Sequence, residues 1–290
     1  MARNLIFVLI LMTTLGLNIA FAQNNAIAFD GTNDAVAFAN PGPTNQITME
    51  CWFKLNAVGT GDLGKTIFSS NPTQNKSLWL TSVGSELRLW AFGSSNNALR
   101  FTTSGANITV GTWYHVAVVA KRGAANRTRL YLNGIELINQ PSYDLNDFGT
   151  TFYFGNLRTN ESLYCLNGYI DEVRIWTTLR TQSEILAGMN AILPVDSPGL
   201  VGYYPLDSNL NDYTTPAQNG TFYNGLVVSQ PTFVASDVTL PVELSSFMAT
   251  GTSDFFVRLS WITQSEQDVM GFMSIETQAR ITPLPHVSVN

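Results

Sequence analysis

The chain has 290 residues, 45% of them hydrophobic and 11% aromatic, which is enough for a sizeable core and excludes wholesale disorder. Only 12% are charged, the formal net charge is −6, and four lysines with no basic run exclude binding to nucleic-acid phosphates. Thr occurs 30 times and Asn 26 times, a composition poor in helix formers and rich in strand and turn formers.

Residues 1–22 carry one early cation, Arg3, then an apolar run from Leu5 to Met12 that continues more weakly through Leu17. The run ends in Ala20-Phe21-Ala22, a small-x-small pattern, and reads as a secretory signal cleaved before Gln23. The alternative, an uncleaved anchor, is weakened by Thr13, Thr14, Gly16 and Asn18 within the run and by the lack of a basic stop. No other stretch approaches the ~18–20 apolar residues of a membrane span, so none is expected after cleavage. Period-two strand patterns follow at 26–29, 35–38, 47–55, 66–69, 77–81, 86–92, 99–102, 113–120 and 128–132. In 47–55, Ile47, Met49, Cys51, Phe53 and Leu55 share one face, and Thr48, Glu50, Trp52 and Lys54 the other. Asn133-Gly134 predicts a type I′ hairpin turn. Further strands are predicted at 151–154, 169–176 and 200–205, with one short helix at 181–189. A composition shift at 230–241 precedes another strand at 257–261. The expected organisation is a signal peptide at 1–22, a β domain at 23–230, a linker at 231–241 and an incomplete β module at 242–290. Ten or more short strands at roughly ten-residue spacing predict an all-β sandwich or barrel, and missing crossover helices exclude a parallel α/β fold.

Six segments resemble, in order, the signatures of laminin-G-like, concanavalin A-like jellyroll domains. Ala26-Ile27-Ala28-Phe29-Asp30-Gly31-Thr32-Asn33-Asp34-Ala35-Val36 resembles the opening strand pair, and Ile47-Thr48-Met49-Glu50-Cys51-Trp52-Phe53-Lys54 the second signature. Trp113-Tyr114-His115-Val116-Ala117 and Leu130-Tyr131-Leu132-Asn133-Gly134 supply the third and fourth. Gly168-Tyr169-Ile170-Asp171-Glu172-Val173-Arg174-Ile175-Trp176 is the most diagnostic, and Leu200-Val201-Gly202-Tyr203-Tyr204-Pro205-Leu206-Asp207 closes the set. The resemblance covers about residues 24–228. It implies a two-sheet antiparallel jellyroll sandwich in a secreted or cell-surface protein, acting as an adhesive or carbohydrate-binding module or as an accessory domain of a hydrolase. A second resemblance lies in the tail. Leu240-Pro241-Val242-Glu243-Leu244-Ser245-Ser246-Phe247, with Leu259-Ser260-Trp261 and Ser265-Glu266-Gln267, looks like the region before the C-terminal sorting domain of bacterial type IX secretion cargo. That implies a reading truncated or frame-shifted after about Gly271.

Catalytic patterns are missing from the sequence. No Glu-x-Asp-x-x-Glu string is present to set two carboxylates across a glycosidic bond, and no Gly-x-Ser-x-Gly elbow. Asp171 and Glu172 are adjacent, so on a regular strand they are predicted to face opposite ways. His115 is the one histidine inside the domain and reads as packing. The expectation is therefore a non-catalytic binding module for a glycan or extracellular polymer, with a structural spacer or an accessory domain of a larger protein as the alternatives. Trp52, Trp79, Trp90 and Trp176 are the candidate sugar-stacking residues, set against the alternative that they cover a sheet or fill a core. Loops 71–76, 93–97, 122–127 and 157–161 are candidates for a polar rim. Calcium is the expected cofactor, with Asp30, Asp34 and Asp171 as candidate ligands; the alternative is that Asp30 and Asp34 hydrogen-bond their own turn. Cys51 and Cys165 either pair as a disulfide after export or stay as buried thiols.

Overall fold

The computed structural model describes residues 25–40, 45–59, 64–70, 78–92, 98–123, 127–141, 145, 148–156, 164–191, 193–222, 230–236, 238, 244–251 and 257–263. The expected signal peptide, most of the candidate rim loops and the end of the tail lie outside them. Two compact units emerge, one spanning Asn24–Pro241 and the other formed by Met1–Gln23 with Val242–Asn290.

In the larger unit the alternating segments become two antiparallel sheets. The eight-stranded sheet holds β1 (Asn25–Asp30), β3 (Gln46–Leu55), β8 (Trp113–Lys121), β9 (Arg127–Leu132), β10 (Ile135–Pro141), β12 (Asn167–Trp176), β13 (Leu200–Tyr204) and β15 (Thr232–Ala235). Its order is β10-β9-β8-β3-β12-β1-β15, with β13 also pairing with β12. The seven-stranded sheet has β14 (Thr221–Phe222), β2 (Val36–Ala39), β11 (Thr151–Phe154), β4 (Lys65–Ser70), β5 (Leu78–Val83), β6 (Glu86–Phe92) and β7 (Ala98–Thr102), in that order. This is the predicted two-sheet jellyroll sandwich. In the smaller unit, β16 (Leu244–Gly251) and β17 (Val257–Thr263) pair as an antiparallel hairpin.

The core lies between the two sheets. Met49, Cys51 and Phe53 of β3 and Ile170 and Val173 of β12 point inward from one side, and Phe38, Phe68, Phe152 and Phe154 from the other. Full burial of each such large side chain contributes about 1.5–3 kcal/mol. The hairpin turn forms as expected, with Asn133 at φ 48° and Gly134 at φ 74°. A Cβ at Gly134 would also meet a Leu186 methyl, which is exposed and would have to turn aside. Leu186 belongs to the one described helix, α1 (Gln182–Gly188), which packs on that turn.

The cysteines are both free and buried, so the disulfide alternative does not hold. Cys51 faces the core near the middle of β3, where β3 runs beside residues 171–174, whereas Cys165 precedes β12. They are separated by about six residues along the strand direction, roughly 20 Å, far beyond the ~7 Å Cα limit of a bridge. Burial raises the Cys51 thiol far above its ordinary value and pushes Cys165 up to about 12. A thiol reagent is expected to modify neither cysteine in the native protein and both in guanidinium; fewer than two in guanidinium would contradict the structure.

Candidate functional site

Each sheet has an outer face, and the sequence candidates divide between them. On the eight-stranded sheet, part of that face lies under the segment 177–200, which follows β12 and contains α1. Thr181 caps α1 in a reciprocal capping box with Glu184, and Ile185 packs on Ala117, Val119 and Tyr131. The helix has no basic residue in its last turn. Carbonyls at its end and just beyond are met from the sheet below: Arg174 donates to Gly188 O at 2.7 Å and to Ala191 O at 2.9 Å, and Trp52 Nε1 donates to Met189 O at 3.0 Å. Trp176 Nε1 donates to Glu50 at 2.5 Å, and the Arg180 guanidinium sits 3.8 Å from the Trp176 ring centre. Trp52 and Trp176 thus hold the covering segment.

A buried polar network lies beneath it. A β-bulge interrupts the β12–β3 register between Asp171 and Arg174, and Glu172 takes φ 52° there. The extra residue turns both Asp171 and Glu172 to the outer side, correcting the expectation that they face opposite ways. Glu172 accepts from Arg174 at 2.8 Å and from the Tyr203 hydroxyl at 3.0 Å. Burial raises the Glu172 carboxyl against the pull of Arg174, and burial together with the Glu172 charge raises Asp171 well above the ordinary range. Glu50, across from Arg174, lies 3.4 Å from His115 Nε2. Burial pushes Glu50 up, but His115, Arg174 and Arg180 outweigh it and leave Glu50 below its ordinary value. Burial holds His115 low, and the imidazole is neutral at pH 7. Each acid here has at least one fixed partner, with Glu50 Oε2 and His115 Nδ1 buried without a hydrogen bond, and the arrangement holds the covering segment as a structural clasp.

The other two tryptophans are on the seven-stranded sheet, opposite its core side, where Trp79 is buried and Trp90 half-buried. Trp79 of β5 and Trp90 of β6 are directly opposite in register and stack at 5.5 Å with 24° between planes. Phe92, two residues along β6, continues the stack at 6.4 Å and 14°, while Tyr164 meets Trp79 edge-on at 5.6 Å. Trp79 Nε1 donates to Thr66 Oγ1 at 3.0 Å. The hydroxyls of Ser69, opposite Trp79, and Thr81, opposite Arg88, are buried without a hydrogen-bond partner. Phe92 and Arg88 were legible from alternation, since both share the parity of Trp90; Ser69, Thr81 and Tyr164 join only through strand pairing and the fold.

The three aspartates do not converge. Asp30 N–H donates to Asp34 Oδ2 at 2.9 Å and Thr32 N–H to Asp30 Oδ1 at 2.7 Å, so these two tie their own turn. Asp171 is some four residues away along β1, on β12, where Ser236 Oγ donates to it at 2.8 Å. Among the described residues, no three of His, Cys, Asp and Glu are placed to hold a metal ion. Asp34 Oδ1, however, is buried with no partner, and burial plus the neighbouring Asp30 charge raises the Asp34 carboxyl to about 6. An orphaned buried oxygen beside a second carboxylate suits a hard cation, and Asp171 has no part in it.

The sequence profile of the concanavalin A-like lectin/glucanases superfamily matches residues 30–186, more than half of the chain. The chain belongs to that superfamily. Among solved structures, an inferred carbohydrate-binding protein from Bacteroides ovatus is similar, at 19% identity and TM-score 0.56, covering 76% of this chain. This chain spans 62% of that protein's length. A heptameric SAP-like pentraxin from Limulus polyphemus aligns at 18% identity and TM-score 0.48 over 71% of this chain and 97% of its own. Domain 4 of an extracellular arabinanase, AbnA, from Geobacillus stearothermophilus, solved with arabinotriose, aligns at 22% identity and TM-score 0.43 over 56% of this chain and 75% of its own. Among curated proteins, none matches in sequence. For this lectin-like sandwich, the most diagnostic sequence segment, 168–176, is explained by the clasp that seats α1 on the sheet.

Proposed function

We propose that this domain is a secreted or cell-surface, non-catalytic carbohydrate-binding module whose glycan contacts lie on the outer face of the seven-stranded sheet. The observation that carries this reading is the half-buried stacked pair Trp90–Phe92, beside Arg88 and backed by the buried Trp79. Aromatic rings take the C–H face of a sugar ring, as in other ring-stacking contacts. Among the described residues of this face the one carboxylate is Glu86, which accepts from Thr103 Oγ1 at 2.5 Å. That supports binding without hydrolysis, since glycosidases use two carboxylates. Calcium belongs to this reading as an organiser of the β1–β2 turn, held by Asp34 and Asp30.

The test is titration of the protein with neutral arabino-, xylo- and gluco-oligosaccharides, followed by tryptophan fluorescence and calorimetry. Trp90→Ala is expected to weaken binding by about tenfold or more, ~1.4 kcal/mol. Silence of the native protein across a glycan array would instead favour a structural spacer.

A further inference from the structure

We propose that Lys121, Arg127 and Arg129, at the β8–β9 corner of the eight-stranded sheet, form a binding strip for an anionic polysaccharide whose sugar units bear sulfate or carboxylate groups. The strip is a separate surface from the Trp90–Phe92 pair and does not rest on it.

Four of the chain's 15 cations fall within residues 121–129, although the chain as a whole carries −6. Strand pairing turns three of them to one face. Val119 of β8 pairs with Arg129 of β9, and two residues on, at the ends of the same strands, stand Lys121 and Arg127. Val119 and Tyr131 pack with Ile185 of α1, so their parity marks the outer face, and Lys121, Arg127 and Arg129 share it. Paired strands lie about 4.8 Å apart and alternate residues about 7 Å, which sets the spacing of the three cations. The fourth, Arg122, donates to Leu145 O at 3.2 Å. The partners of the three are accounted for. Arg127 is exposed and donates through Nε and Nη2 to the side chain and carbonyl of Asn139, which leaves further N–H groups of its guanidinium facing outward. Arg129 meets Glu136 at 3.6 Å, and its side chain is 37% exposed. Lys121 is half-buried and bonds to none of the described residues. Among the described residues the one carboxylate touching the strip is Glu136, and it is already engaged by the Tyr131 hydroxyl at 3.0 Å and Asn139 Nδ2 at 2.9 Å. Glu184 of α1 is turned back on its own cap, accepting from the Thr181 N–H at 2.7 Å. The strip is therefore net positive.

The chemistry of the strip selects the ligand. A single small anion gains little at an open sheet corner, since one exposed ion pair contributes roughly 0–1 kcal/mol. A chain of repeated charges engages several cations at once and adds these small gains within one binding event. Each guanidinium presents paired donors that match two oxygens of a carboxylate or sulfate group. The spacing of the cations is comparable to the length of one sugar unit, so units bearing one charge each fall in step with them. Duplex nucleic acid carries a charge every ~1.7 Å of its axis, far denser than this spacing. The net charge of −6 over the whole chain also repels so dense a polyanion from the surface around the strip.

Dextran sulfate and polygalacturonate are the probes, with neutral dextran as the control for sugar alone and inorganic polyphosphate as the control for charge alone. The native protein is expected to bind at least one of the two anionic glycans at about 50 mM salt and to lose most of that affinity by about 500 mM, where the screening length is roughly threefold shorter. A preference for one glycan over the other identifies sulfate or carboxylate as the group taken. Lys121→Gln, Arg127→Gln and Arg129→Gln together should lower affinity about tenfold or more while the melting temperature changes little. Arg127→Lys with Arg129→Lys, which keeps the charge, should lose less than the corresponding glutamine pair. Lys54→Gln, which removes a cation elsewhere on the same sheet, should change affinity by less than about twofold. Trp90→Ala should leave it unchanged, so failure here is distinguishable from failure at the Trp90–Phe92 pair. Silence toward both anionic glycans at low salt, unchanged affinity in the triple variant, or polyphosphate binding as tight as that of the glycans would each overturn the proposal.

Discussion

Arg174→Met is expected to destabilise the domain by about 3–5 kcal/mol at pH 7.5, the range found when one partner of a buried ion pair is removed. Equilibrium denaturation followed by tryptophan fluorescence measures it. Arg174 is only 1% exposed and does three things at once. It neutralises Glu172 at 2.8 Å, and it donates to Gly188 O, the last carbonyl of α1, and to Ala191 O, three residues beyond it. Methionine keeps much of the stem and loses all of the donors. Glu172 would then be a buried carboxylate with only the Tyr203 hydroxyl to bond. The pH dependence has a defined sign. The Glu172 carboxyl is already raised above its ordinary value of 4.5 by burial, and losing Arg174 raises it further. An acid with a raised native pKa loses stability as pH increases through that pKa. The penalty of Arg174→Met should therefore be smaller near pH 4.5 than at pH 8. Glu172→Gln in the same chain should recover part of the loss, the two changes being less than additive. A cost under about 1 kcal/mol would show that packing of Ile185, rather than the network, seats the helix.

The clasp shows where reading by alternation works and where it stops. Period two was enough to put Met49, Cys51 and Phe53 inside and Glu50, Trp52 and Lys54 outside, as observed. The short helix predicted at 181–189 forms at Gln182–Gly188, where Thr181 and Glu184 make a cap that depends on neighbours in sequence. It failed at Asp171–Glu172, where a bulge adds one residue against β3 and breaks the parity. A bulge is a property of two strands, so one strand's pattern does not show it. The four tryptophans make the same point. Alternation assigns Trp52 and Trp176 to an outer face, but only the path of 177–200 shows that they hold a covering segment; of the other pair, on the seven-stranded sheet, Trp79 is buried and Trp90 half-buried. The candidate calcium ligands were grouped by their place in signatures, and the register separates Asp171 from the other two.

Asp34→Asn is expected to stabilise the calcium-free protein by an amount on the order of 3 kcal/mol at pH 8 and by almost nothing near pH 4. The Asp34 carboxyl rises from 3.8 to about 6, through burial first and the Asp30 charge next. The folded protein therefore holds a proton on Asp34 between those values, whereas the unfolded chain has released it. Asp34's own contribution to stability is fullest below pH 3.8 and is lost as pH rises through 6, the sign expected of a raised carboxyl. Asparagine removes the charge, keeps an acceptor for the Asp30 N–H now bonded at 2.9 Å, and offers its amide to the Asp30 carboxylate. Thermal melts at pH 4, 6 and 8 in chelator follow the gap as it opens. Millimolar calcium provides the opposing arm: a cation on Asp34 Oδ1 and Asp30 would raise the Tm of the native protein at pH 8 and leave Asp34→Asn unmoved, reducing or reversing the difference. A native Tm indifferent to calcium would reduce both aspartates to hydrogen-bonding their own turn, while a gap that fails to widen from pH 4 to pH 8 would remove the buried charge itself.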